Sequence, residues 1–231
     1  MSEAEEIIRR YERRKITIPH ERYSILNPSS YMSEQEKERV LIKLIKKSHL
    51  ESLENKKLLE IGCGGGNNLI QFIRLGFKPQ NLFGNDILSE RIISAREKLP
   101  ISVTLTEGDA SKLDYNEGCF DIVFQSMVFS SILNENFRIQ LAKKMWQWTK
   151  IGGGILWYDF VYDNPQNKDV IGIRFRDLAR YFPMESHIKY KLTLAPPISR
   201  VVTKINSHFY TILNSICILK THILCFIRKI N

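Results

Sequence analysis

The residues best suited to chemistry lie in one stretch, Leu58-Leu59-Glu60-Ile61-Gly62-Cys63-Gly64-Gly65-Gly66-Asn67-Asn68. An apolar run carries a carboxylate, and a glycine-rich turn then opens into a helix-compatible segment. That is the layout of a first strand, loop and first helix in a doubly wound α/β fold. Glycine at alternating positions lets the backbone turn tightly and lie against a ligand. A dinucleotide fingerprint starting at Gly62 would need glycine at position 67, where Asn67 stands. The order is instead acidic-x-Gly-x-Gly-x-Gly, from Glu60 to Gly66. Taken alone, such a loop is also compatible with a tight turn that holds nothing. A second carboxylate adds weight. Leu82-Phe83-Gly84-Asn85-Asp86-Ile87 reads as a buried strand closing on Asp86, 24 residues after Gly62. A bidentate acceptor about 20 residues beyond such a loop suits the vicinal diol of a ribose. The other use of Asp86, as a helix cap, is one that Ser89 already suits.

Three further strands follow at regular intervals. Val103 to Ala110 closes on Gly108-Asp109-Ala110, Phe120 to Ser126 forms a fourth strand, and Gly152 to Phe160 a fifth. In this order and spacing, residues 58 to 160 resemble the class I S-adenosylmethionine-dependent methyltransferases. Met127-Val128-Phe129-Ser130-Ser131-Ile132, Gly154 to Phe160 with Asn164-Pro165, and Leu192 to Pro197 look like the bacterial type 11 group. The resemblance implies an α/β fold: a Rossmann-like doubly wound sheet of seven strands with the last strand antiparallel, plus an N-terminal helical lid. It implies S-adenosyl-L-methionine as cofactor. Asp109 would accept from the adenine amino group and the Ala110 amide would meet a ring nitrogen. Glu60, Gly62, Cys63, Gly64, Gly66, Asp86, Ile87 and Gln125 complete the implied cofactor set. The sequence departs mildly from the group at Gly65-Gly66-Asn67-Asn68, where most relatives carry Thr or Ser. Similar proteins often accompany polysaccharide and secondary-metabolite biosynthesis. The implied activity is therefore O-methylation of a sugar, glycan or small hydroxylated metabolite. A lipid or quinone precursor is one alternative acceptor, and a catalytically silent cofactor-binding partner protein is another reading.

The elements that must position these residues follow from hydrophobic period and turn signals. Residues 1–50 read as a helical lid on the substrate side and 51–231 as the methyltransferase domain. Residues 3 to 15 suggest an amphipathic helix with Ile7, Ile8 and Tyr11 on one face. A second helix is expected from Ser33, with Glu36 closing a capping box and Val40, Leu41, Leu44 and Ile45 as its apolar face. A helix over 174–182, a sixth strand over 189–194, a helix to about Ser215 and a terminal strand over 219–227 complete the series. Ligands in such sheets bind beyond the carboxyl ends of the strands. The acceptor is thus expected near Gln125 to Phe129 and Tyr158 to Phe160, under the N-terminal segment. Asp159 is the leading candidate for a base or acceptor-orienting group, with a loop or capping carboxylate as its other reading. Tyr158, His20 and Tyr23 are weaker candidates. Asp121 stands at the opposite end of its strand and reads as structural. Gln125-Ser126-Met127-Val128 lacks the Pro-Pro-aromatic turn that clamps a flipped base, and Gln125 is a poor ligand for a hard cation. Neither a nucleic-acid substrate nor a metal is expected.

At 231 residues, 43% hydrophobic and 26% charged, the chain suits one globular domain with an added lid. Its acidic start lacks the basic region and apolar core of a signal peptide. Cys63, Cys119, Cys217 and Cys225 form no metal-type cluster and read as reduced thiols of a cytoplasmic protein. The net charge of +9 is uneven: Arg9 to Lys15 is strongly basic, and no acidic residue follows Glu185. A solvated basic face explains this; so would an anionic small-molecule acceptor or peripheral contact with an anionic membrane. Phe209 to Ile227 is apolar but interrupted by Asn214, Lys220 and His222, so a spanning helix is not expected.

Overall fold

Short apolar runs set between glycine and proline turns give strands, and the segments between them carry helical apolar stripes. The computed structural model describes residues 2–17, 19–50, 52–165 and 167–230, with His20 described by its backbone alone. β1 (Leu58–Ile61), β2 (Leu82–Asp86), β3 (Thr104–Glu107), β4 (Phe120–Ser126), β5 (Thr149–Phe160), β6 (His187–Leu194) and β7 (Lys220–Arg228) form one sheet in the order β3-β2-β1-β4-β5-β7-β6. β1 to β5 are parallel. β7 enters antiparallel to both β5 and β6. The doubly wound sheet with an antiparallel last strand is thus the observed fold. Strand order reverses at β1, which has β2 on one side and β4 on the other, and a crevice opens there at the carboxyl ends.

The helices are α1 (Glu3–Thr17), α2 (Pro28–Lys47), α3 (Asn67–Arg74), α4 (Ser89–Lys98), α5 (Glu135–Trp148), α6 (Pro196–Ile205) and α7 (His208–Asn214). Alternate strand residues point to opposite faces. Leu58, Phe124, Leu156 and Phe226 pack with Leu41 and Leu44 of α2 and Phe72 of α3. Leu59, Val123, Ile155 and Trp157 pack with Leu141, Met145 and Trp148 of α5 and with Ile7 of α1. Each fully buried large side chain contributes roughly 1.5–3 kcal/mol, so these two layers hold the fold while the polar contacts set its geometry.

Some boundaries differ from the sequence reading. α2 begins at Pro28 rather than Ser33. Proline at the first helical position has no N–H to leave unpaired, and the Asn27 side chain caps the helix by accepting from the Ser29 amide at 3.0 Å. The expected capping box does not form, because Glu36 turns into the protein. There it accepts from the Thr193 amide (2.9 Å), the Tyr210 hydroxyl (2.8 Å) and the Asn214 side chain (2.6 Å). One carboxylate therefore joins α2 to β6 and α7. It also holds Thr193 in the left-handed region at φ +66°, a strained backbone for a β-branched residue. The segment over 174–182 tightens into a 3-10 helix, Phe175–Arg180. Glu36→Ala would leave the buried Thr193 amide and the part-buried Asn214 amide without this acceptor, and Tyr210 with Ser33 alone. We expect a loss on the order of 3 kcal/mol in stability, read as a lower urea midpoint, with a smaller loss for Glu36→Gln.

Candidate active site

The path of the loop after β1 demands its glycines. Gly62, Gly64 and Gly66 have φ of +68°, +54° and +82°, where side chains are strained, and a Cβ at Gly62 would also overlap Val128. The end of β2 then fixes the neighbouring loops. Asn85 is buried; its carbonyl accepts from the Cys63 amide (2.8 Å) and its side chain donates to the carbonyls of Thr106 (3.1 Å) and Gly108 (3.0 Å). Asp86 is buried beside it, its carboxylate accepting from the amides of Gly64 (2.9 Å) and Leu88 (3.0 Å). Leu88 occupies the cap position of α4 without a side-chain bond. Ser89, expected as that cap, instead donates its hydroxyl to Glu107.

These loops border a cleft of about 270 Å³. Gly62, Asp86, Ile87, Asp109 and Ala110 line one side, and Ser126, Met127 and Ser131 the end of β4, with Ile7 and Tyr11 of α1 across it. Met127 has a φ of +62°, strain of the kind that clusters at functional sites. The Arg91 guanidinium lies 4.2 Å over the Tyr11 ring and 3.6 Å from the Asp86 carboxylate. α1 is held further by Arg10, which donates to the Ser131 carbonyl at 3.2 Å, and by Glu3, which accepts from the Leu133 amide at 2.9 Å. A separate recess of about 770 Å³ includes Glu117, Trp146 and Lys150, near the opposite strand ends. It contains none of the motif residues.

Glu60 is fully buried beneath the loop. Its Oε1 accepts from the Asn68 side chain at 2.6 Å, while its Oε2 has no partner. Burial pushes its carboxyl up to about 8, against the opposing pull of Asn68 and Lys37. An unpartnered buried carboxylate oxygen beside a glycine loop fits a cationic group such as an amino-acid ammonium. Asn68, the mild departure from the family pattern, proves structural in this network: its side chain also accepts from Lys37 Nζ at 3.2 Å.

Other expected site residues fall elsewhere. The Cys63 thiol is buried and its pKa raised by that burial, and its amide is committed to Asn85. Gln125 is buried, accepting from the Val128 amide (2.9 Å) and donating to the Tyr158 carbonyl (3.3 Å), which spends both ends of its side chain on the turn after β4. Gly64 and Gly66 shape the loop rather than line the cleft. Asp159 is also buried, behind that turn. Its carboxylate accepts from the amides of Ser130 (3.2 Å) and Phe160 (3.0 Å), and burial pushes it up to about 7. Tyr158 points to the opposite face, as the next residue of a strand must. Its hydroxyl meets Thr193 at 3.0 Å and its ring stacks on His222. Neither side chain lines the cleft. Tyr23 is exposed away from it, and the side chain of His20 lies outside the described residues. Asp121 accepts from the Lys57 amide at 2.9 Å at the far strand end, a structural role. Asn85, Arg91 and Lys37 escaped the sequence reading. Asn85 is a polar amide within an apolar strand and Lys37 sits on the apolar stripe of α2, four residues before Leu41; those were the available signals. Among the described residues, no group of three or more His, Cys, Asp or Glu is placed to hold a metal ion.

Residues 58–153 match a family model described as a methyltransferase domain. The sequence matches no curated protein. Solved structures share the fold. An S-adenosylmethionine-dependent methyltransferase from Archaeoglobus fulgidus is 13% identical, with 85% of this chain and 97% of that one covered at a TM-score of 0.58. One from Mesorhizobium loti is 13% identical, covering 80% and 95% at 0.57. The cyclase SpnF is 12% identical, covering 84% and 82% at 0.56, so the fold alone does not fix the reaction. Residues 58–153 thus match a methyltransferase domain, on a fold shared with S-adenosylmethionine-dependent methyltransferases.

The buried Glu60 carboxyl, one oxygen of which has no partner, is expected to make binding of an ammonium-bearing ligand depend on pH. Its raised pKa means the folded protein keeps a proton that the unfolded chain releases, so this group's contribution to stability falls as pH rises from about 4.5 to about 8. A bound ammonium favours the ionised form. Affinity for S-adenosylhomocysteine, measured by calorimetry, is expected to rise from about pH 6 to about pH 8 by up to roughly tenfold per unit, and to lose that slope in Glu60→Gln.

Proposed function

We propose that the chain, which carries a methyltransferase-domain match, uses S-adenosylmethionine to methylate a hydroxyl oxygen of a sugar, glycan or other small hydroxylated acceptor. The supporting observation is the lining of the cleft beyond the cofactor residues. There the side chains are apolar (Ile7, Ile132 and Phe137) or neutral hydroxyls (Tyr11, Ser126 and Ser131), with the Arg91 guanidinium as the charged group and no carboxylate to attract an amine. A neutral acceptor with hydroxyl groups suits that surface.

Asp86 would take the ribose diol, Asp109 and the Ala110 amide the adenine, and Glu60 the ammonium. The cofactor supplies a methyl group on a sulfonium, ready for in-line displacement, so the protein's main task is to hold the acceptor oxygen in line and exclude water. Asp159 serves as a positioning residue: its bond to the Ser130 amide holds the turn that presents Ser131 to the cleft. α1 acts as the lid. The cleft of about 270 Å³ is smaller than the roughly 300–1,000 Å³ usual for ligand pockets, so α1 moves outward to admit cofactor and acceptor together. Arg91 links that movement to ribose recognition, because it touches both Tyr11 and Asp86.

Three measurements test this reading. Thermal unfolding is expected to shift upward with S-adenosylhomocysteine and not with NAD; a shift with NAD alone would contradict it. Asp86→Ala is expected to weaken S-adenosylhomocysteine binding by about 1.5–3 kcal/mol, the range for a charge-assisted bond. Methyl transfer from labelled cofactor to hydroxylated acceptors is expected to persist in Asp159→Asn with kcat lowered less than about tenfold and the acid limb of its pH profile intact. A fall of roughly 10²–10⁴-fold with loss of that limb would make Asp159 a base.

A further inference from the structure

The two helices between β6 and β7 are built with their polarity reversed. On α6, the inward residues are hydroxyls: Ser199 is buried and meets Ser29 at the head of α2, and Thr203 is buried and donates to the Ser199 carbonyl at 2.7 Å. Its outward residues are aliphatic, Val201 at 61% exposure and Ile205 at 72%. α7 repeats the pattern. Tyr210 is buried with its hydroxyl on Glu36, while Ile212 is 59% exposed and Ile218, in the turn that follows, 77%. A surface helix ordinarily turns its apolar stripe to the core. Aliphatic side chains exposed together on successive elements mark a surface that meets a partner. Leu26, in the loop that leads into α2, whose first turn meets α6 through Ser29 and Ser199, is 88% exposed as well.

The charges carried by α6, α7 and the turn after them have one sign. No acidic residue follows Glu185, and Arg200 and Lys204 belong to α6 itself. Arg22 lies near enough to Arg200 to lower its pKa, after burial. A second copy of the chain would set this cationic face against itself, and a nucleic acid would leave the aliphatic side chains without a counterpart. An anionic bilayer satisfies both features: aliphatic groups enter the acyl boundary while Lys and Arg remain among the headgroups. The position also fits. β6 is antiparallel to β7, and β7 to β5, so β6 runs parallel to the strands of the site. α6 therefore leaves the sheet at the edge where the cleft opens. Contact would be peripheral, since no helix among the described residues is long and apolar enough to cross a membrane.

We propose that α6, α7 and the loop before α2 form a docking face for an anionic phospholipid surface. The proposal is independent of the acceptor assigned above. Flotation of the full chain with vesicles of phosphatidylcholine alone, or with about 30% phosphatidylglycerol added, tests it. Binding is expected only to the anionic vesicles, weakened at least about tenfold by 0.5 M salt or so. The same loss is expected for Val201→Ser combined with Ile205→Ser, for Ile212→Asp and for Lys204→Glu. Each variant should keep the upward thermal shift with S-adenosylhomocysteine, which reports folding and cofactor binding separately from docking. Absence of binding to anionic vesicles, equal binding to both kinds, or folded variants that all bind like the wild type would overturn it. So would a dimer in ultracentrifugation that Ile212→Asp dissociates, since the face would then belong to a second copy.

Discussion

The carboxyl end of β2 is the constraint on which the cleft depends. Asn85 and Asp86 together accept from or donate to the loops after β1, β2 and β3. Each such bond contributes little net stability, about 0.5–1.5 kcal/mol when neutral and 1.5–3 when charged. Their joint effect is geometric. They spend the backbone polar groups of three loops on one another before any ligand arrives, so the cradle is formed in advance. Against that background the unpartnered oxygen of Glu60 stands out, because its neighbours have found partners and it has not.

A second line of polar contacts runs along the other side of the sheet. Glu36 and Lys37 are consecutive on α2 and reach in different directions. Glu36 grips β6 and α7; Lys37 forms an ion pair with Glu34 at 2.7 Å, meets Asn68 and lies 5.5 Å from the Tyr158 ring. α2 is thereby fastened both to the helix beneath the glycine loop and to the segment that carries the outward-facing aliphatics. Burying two charged side chains side by side costs stability unless both are satisfied, and here each is met by several groups.

Much of this was legible in the sequence. Strand runs, glycine spacing and the carboxylates at 60, 86 and 109 are local features, and local features fix strand order once the fold class is known. Direction was harder to read. Asp86 and Asp159 each stand at the end of an apolar strand, yet one lines the cleft and the other lies behind a turn, because only the path of residues 127–131 decides which end is covered. Gln125 failed for the same reason: the Val128 amide that occupies it is brought there by tertiary structure. The start of α2 was misplaced since two signals competed. Pro28 after Asn27 and the Ser33–Glu36 pair are both helix openings, and the long-range pull of Thr193, Tyr210 and Asn214 on Glu36 removed the second.

The placement of β7 bears on how the chain is made. Gly154 pairs with Arg228 and Phe160 with His222, so β5 waits for a strand synthesised well after it, and β6 reaches the sheet through β7. The order of synthesis therefore places this pairing after those of β1 with β2 and β4, whose residues are all made by position 126. During translation the residues of α6 and α7 emerge before β7, while their polar partners on α2, Ser29 and Glu36, are already made. The glycine loop and its neighbours can mature on the ribosome first. The surface formed by the last helices would then be completed on a chain whose glycine loop is already in place.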